Sequence, residues 1–220
     1  MTAPSLPIGA LVVLLAASGA SQLAAQADTS DARFWEHPIH VGAFVGVSFP
    51  VAQWRNSFES GDDGALSLAW AVTPVRSIWL EGQFNGQSQL MINTIQSGFQ
   101  ATGGGASIYS LTLNVVANAP DLLFGRVTPY VLGGGGAYHR HIELDDYAGT
   151  AACSPFLGFC GVYGPSAVRT RTQNVPGWDV GGGFRVRLKS FWVVAETRYN
   201  VAATRYHPTT FVPVVVGIAW

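Results

Sequence analysis

Charge is what this chain has least of. Only 11% of its 220 residues are Asp, Glu, Lys or Arg, where a soluble domain carries roughly a quarter. The few present nearly cancel, 12 basic against 13 acidic. With no net positive charge and no basic stripe, a nucleic-acid partner is excluded. Long apolar runs are missing too. Past the first two dozen residues nothing approaches the ~20 consecutive apolar residues of a membrane-spanning helix, although 48% of the chain is hydrophobic. Apolar content cut into short pieces is what strand alternation produces. Cysteine is nearly absent, with two residues in the whole chain. No His/Cys cluster has the spacing of a metal site, and no cofactor or metal motif stands out.

The one unbroken apolar run lies at the start. Ile8 to Ala17 has the length of a signal-peptide core and is too short to cross a bilayer as a helix, and Ala25-Gln26-Ala27 fits the small-x-small cleavage pattern. Residues 1–27 are therefore read as a signal peptide, despite the lack of Lys or Arg in Met1 to Pro7, and 28–220 as a single exported domain. In an exported chain, Cys153 and Cys160, close together in a Gly/Pro/Ser-rich segment, read as a small loop disulfide.

The last residues carry the clearest pattern. Val212, Val214, Val216, Ile218 and Trp220 share one face, and Pro213, Val215, Gly217 and Ala219 the other. A period of two marks a strand with a large apolar face and a face of smaller residues. The same alternation recurs in segments at 39–49, 65–73, 77–85, 106–116, 127–141, 177–188 and 191–200. On one face they carry Val45 and Val47, Leu66 and Leu68, Leu111 and Leu113, Trp178 and Phe184, Val193 and Tyr199. The fifth segment is assigned Tyr130, Leu132 and Tyr138 on that apolar face, with Gly133 to Gly136 in its middle. Eight segments result, joined by connections that alternate broadly between long and short, the longest over 142–174.

A barrel whose apolar face meets lipid makes sense of this pattern. Segments of 9–11 residues suit a tilted transmembrane strand, and alternating long loops and short turns suit an outer-membrane barrel with both chain ends on the inner side. A soluble ligand-binding barrel would need the other face as its surface, and that face has too many Gly, Ala and Ser and too few Lys and Glu. Tyr109, Tyr130, Tyr138, Trp178, Tyr199 and Trp220 fall near segment ends, as an aromatic girdle would.

Inward positions carry Glu81, Asp179, Arg185, Arg187, Glu196 and Arg198. An eight-stranded barrel is just wide enough for side chains to fill, so these read as a polar and ionic plug, with a narrow polar path as the alternative. His139 and His141, at i and i+2, share a face near the outer end of the fifth segment. Without a third ligand to place, a solvated rim is the plainer reading.

These residues also carry a resemblance. Pro129-Tyr130-Val131-Leu132 with Gly133 to Gly136, Gly181-Gly182-Gly183-Phe184-Arg185, and Ala195-Glu196-Thr197-Arg198-Tyr199 resemble strands of the small eight-stranded outer-membrane β-barrel family, which includes the OmpA barrel, OmpX and OmpW relatives. The resemblance implies an all-β, antiparallel, up-and-down transmembrane barrel in the cell outer membrane, surrounded by outer-membrane lipid and monomeric. The end of the chain, with Val214, Val216, Ile218 and Trp220, is similar to the signal read by the barrel-assembly machinery, although most family members end in Phe. Within the family, an OmpW-like passage for small apolar solutes is an alternative to a structural or surface-interaction role. Lipid A-modifying enzymes use the same scaffold with a Ser/His-type site. Ser48 and Ser110 are available here, but no His–Ser pairing follows from strand position, so no catalytic residue is assigned.

Overall fold

The computed structural model describes residues 39–72, 77–92, 103–120, 122, 126–147, 152–154, 159–161, 167–188, 191–204 and 207–220. The expected signal peptide 1–27 lies outside them. The described strands are β1 (Ile39–Pro50), β2 (Gly61–Ala71), β3 (Ile78–Leu90), β4 (Gly103–Asn118), β5 (Val127–Tyr147), β6 (Ala152–Ser154), β7 (Phe159–Gly161), β8 (Ala167–Arg187), β9 (Trp192–Ala202) and β10 (Thr209–Ala219). Eight of them close an antiparallel barrel in the order β1-β10-β9-β8-β5-β4-β3-β2, and β6 pairs with β7 as a separate hairpin. Sequential neighbours pair throughout, and β1 meets β10 at the closing seam, where Trp220 and Val41 exchange backbone hydrogen bonds of 2.9 and 3.0 Å. Closure leaves no open sheet edge in the wall, the condition for a sheet to sit in hydrocarbon.

The outward face of the wall on the inner side of Tyr109 is apolar. Val45, Leu66, Phe84, Leu111, Leu113, Phe184, Val214, Val216 and Ile218 all stand exposed on it. In water such a belt would be an aggregation surface, and in a bilayer it is solvated. Tyr109, Trp178 and Tyr199 bound it on the outer side, and Trp220 lies at the opposite end.

Several strands run further outward than their alternation announced. Gly61 to Gly64, read from sequence as loop, belong to β2. Residues 86–90 and 103–105 extend β3 and β4, and β5 and β8 continue to Tyr147 and from Ala167. The physical reason is a change of phase beyond Tyr109. There most outward residues are polar (Ser88, Ser107, His139, Thr172, Asn174), Leu90 excepted, and apolar Ile108, Ile142 and Leu144 join Gln87, Gln89 and Arg140 inside. Above the girdle the wall faces water, so its outward face no longer has to be apolar.

One facing assignment is overturned along β5, whose inward parity is constant from Thr128 to Leu144. Tyr130, Leu132 and Tyr138 point inward and are 4%, 3% and 1% exposed. The apolar-face reading of β5 had its parity reversed, and Tyr130 and Tyr138 drop out of the expected girdle. Glycine explains how two tyrosines fit inside. A Cβ on Gly183 would lie 2.8 Å from the Tyr130 hydroxyl, and one on Gly177 2.5 Å from the Tyr138 ring. Glycine opposite each ring leaves the space it occupies.

Candidate functional site

The interior is the only place where the chain collects buried charge among the described residues, and it is filled in layers. Nearest the inner end, Trp79, Val116, Tyr130, Leu132 and Val194 form an apolar layer. Arg185 crosses it. Its guanidinium lies 4.5 Å from the Trp79 ring and 4.1 Å from the Tyr130 ring, and donates to Asn118 Oδ1 at 2.6 Å. This side chain is held by stacking and an amide rather than by a carboxylate.

At mid-height Arg198, 4% exposed, is the centre of a different arrangement. Its Nε donates to Glu196 at 2.5 Å, Nη1 to Asp179 at 3.0 Å and Nη2 to Glu81 at 2.7 Å. The carboxylates come from three different strands, β3, β8 and β9. Tyr130 donates its hydroxyl to the other oxygen of Glu196 at 2.5 Å. Oriented with its oxygen 2.7 Å from Arg198 Nη1 and its nitrogen 2.9 Å from Asp179, the Asn114 amide closes the shell. A planar fork with five N–H donors can serve three carboxylates where an ammonium could not. Charges buried this deeply are tolerated only when paired and hydrogen-bonded.

Alternation places Glu81, Asp179, Arg185, Glu196 and Arg198 inward, and all five are buried. Arg187 shares their parity but lies at the end of β8, is exposed, and has its guanidinium 5.6 Å from the Trp192 ring. Its expected place in the interior ionic cluster is therefore a correction: at the last residue of the strand, the long side chain reaches solvent.

Above Arg198 the interior is lined by amides, hydroxyls and the Asp63 carboxyl group. Asn85 donates to Asp63 at 2.7 Å, Ser48 donates to Gln87, and Gln89 donates to Ser48 at 3.3 Å. The Ser48 hydroxyl is thus engaged by amides, and Ser110 is buried on β4 opposite Tyr138. The gap beside Asp63, Asn85, Glu196 and Arg198 measures about 10 Å³, room for about one water.

The outer end is closed by an apolar cap, built from the connection between the segments read at 39–49 and 65–73. After β1 the chain makes a 3-10 turn, Trp54–Asn56, and Trp54 and Phe58 are 0% and 1% exposed. They pack with Met91, Ile108, Tyr138, Ile142, Leu144 and Phe211. Trp54 donates to Gln89 Oε1 at 2.6 Å, and the Arg140 guanidinium lies 5.5 Å from the Trp54 ring. Arg140 also donates to Thr209 at 2.9 Å and to Gln173. Two aromatics four residues apart in an otherwise polar segment were the available signal.

Cys153 and Cys160 are direct register partners in the β6–β7 hairpin. Their side chains lie outside the described residues.

No protein-family model matches the chain, and no curated protein matches it. Solved structures do. Neisserial surface protein A superposes with a TM-score of 0.53 at 13% identity, over 83% of this chain and 96% of that one. A major outer membrane protein from Thermus thermophilus gives 0.51 at 12% identity, over 83% and 97%. At such identity the likeness is one of fold, and it agrees with strand number, closure and the outward apolar belt. The chain has the fold of the small eight-stranded outer-membrane β-barrels.

Proposed function

We propose that this protein is an integral outer-membrane barrel with a sealed interior, acting as a structural or surface-interaction protein through its outer extension. The observation that carries this reading is the filled lumen. An apolar layer, the Arg198 cluster, a layer of amides and the Trp54–Phe58 cap succeed one another along the axis. A solute-conducting path would have to displace each of them in turn. The parts that reach beyond the girdle are the polar ends of β3, β4, β5 and β8. A catalytic role is not part of the reading, since Ser48 is engaged by Gln87 and Gln89 and not by a histidine.

Single-channel recording of the refolded protein in a planar bilayer tests this directly. The expected result is silence, both for the wild type and for Trp54→Ala, because the ionic layer remains below the cap. Discrete conductance steps in the wild type would overturn the sealed-lumen reading and favour a narrow channel.

Three further assignments belong to this reading. The first 27 residues act as a signal peptide. Val214, Val216 and Ile218, on the outward face of the seam strand β10, and Trp220 directly after it present the sequence read by the barrel-assembly machinery, and the product is a monomer in lipid. Cys153 and Cys160 form a disulfide across the β6–β7 hairpin. Facing positions in an antiparallel ladder have Cα atoms about 4.5–5.5 Å apart, within the range a disulfide spans. Alkylation of the unfolded, non-reduced protein is expected to label neither thiol, and labelling of both would exclude the bond.

A further inference from the structure

On the outward face of β5, beyond the Tyr109 girdle, His139 and His141 stand two positions apart and so on the same side of the sheet. Each ring is braced by its own register partner on β8. His139 Nδ1 lies 2.6 Å from Asn174 Oδ1, and His141 Nδ1 lies 2.9 Å from Thr172 Oγ1. With the Asn174 amide oriented so that its oxygen faces the ring, Nδ1 of His139 donates and Nε2 of the neutral ring keeps its lone pair. The Thr172 hydroxyl can accept from His141 in the same way. Neither Nε2 has a hydrogen-bond partner among the described residues. A ring whose far N–H is fixed by an oxygen while its other nitrogen stays open has the arrangement found around metal-bound histidine.

We propose that His139 and His141 chelate a borderline divalent transition-metal ion, of the Zn²⁺, Ni²⁺ or Cu²⁺ class, through their two Nε2 atoms, with water completing the coordination. Neutral imidazole suits these ions, whereas Ca²⁺ and Mg²⁺ require oxygen ligands. The surrounding outward positions favour a cation over an anionic headgroup. Ser107, Tyr109, Thr170, Thr172 and Asn174 are uncharged and Glu143, the next outward residue on β5, is acidic. The nearby arginine Arg140 is turned inward and buried. A simple solvated rim would not need both rings braced across the ladder.

The test is isothermal titration of the untagged, full-length protein, folded in detergent, with Zn²⁺ alone and then Ni²⁺ alone. One ion per barrel is expected, with at least a tenfold loss of affinity in His139→Ala and a matching loss in His141→Ala, because a chelate needs both rings. Asn174→Ala is expected to weaken binding about tenfold while leaving the heat-dependent gel mobility of the barrel unchanged, a separation that a purely structural Asn174 would not produce. Absence of saturable binding up to millimolar metal overturns the site. So does stoichiometric binding that survives the double variant, since ligands other than this pair would then be supplying it.

Discussion

Arg198 has no substitute in the middle of the barrel. Three buried carboxylates, Glu81, Asp179 and Glu196, take their charge-assisted bonds from its single guanidinium. Arg198→Ala would leave them facing one another without it. Breaking a buried ion pair from one side typically costs about 3–5 kcal/mol, so the urea midpoint for loss of the folded gel form is expected to fall steeply. Arg187→Ala, at an exposed strand end beside Trp192, is expected to cost about 1 kcal/mol or less. Equal effects of the two would mean that the Arg198 cluster is not what stabilises the interior. Which residues share the inward face could be read from period two alone. That Arg198 rather than Arg185 gathers the carboxylates could not, because Glu81 reaches it from β3, which closure places across the lumen from β9. Tyr130 and Tyr138 were misassigned for a related reason: a tyrosine suits a lipid interface and a packed interior equally well, and four neighbouring glycines carry no side chain to set the parity.

At the scale of the element, the seam between β1 and β10 joins the first and last strands of the barrel, and Trp220 pairs with Val41 at its end. If the outward residues of β10 are an assembly signal, Trp220→Ala should sharply reduce the amount of folded barrel recovered from outer membranes, yet leave refolding from urea into detergent nearly intact. Loss of both would instead assign Trp220 a role in stability alone. The strands inside the bilayer were legible because lipid on one side and a small lumen on the other impose a strong alternation. Their outer continuations were not, since Ser88, Ser107, Thr172 and Asn174 facing water look like loop residues until they are paired. The Trp54–Phe58 cap was hidden for a similar reason. Two buried aromatics in a polar stretch have no periodicity, and their burial depends on Met91, Ile108 and Phe211, which arrive from distant parts of the chain.

For the whole molecule, one design accounts for both faces of the wall. Below the girdle the apolar face is outside and the charged residues are inside, and above it most outward positions are polar while the interior mixes apolar and polar side chains. Scarcity of charge, absence of a helical span and the period-two segments all follow from that arrangement, which is why architecture could be read from sequence while activity could not. The most direct measurement of it is the gel mobility of membrane-extracted protein, boiled against unboiled in SDS. A closed barrel whose strands lie in lipid is expected to stay in the membrane fraction and to migrate differently until heated. Identical mobility before and after boiling, with the protein in the soluble periplasmic fraction, would contradict the lipid-facing assignment and turn the apolar face inward.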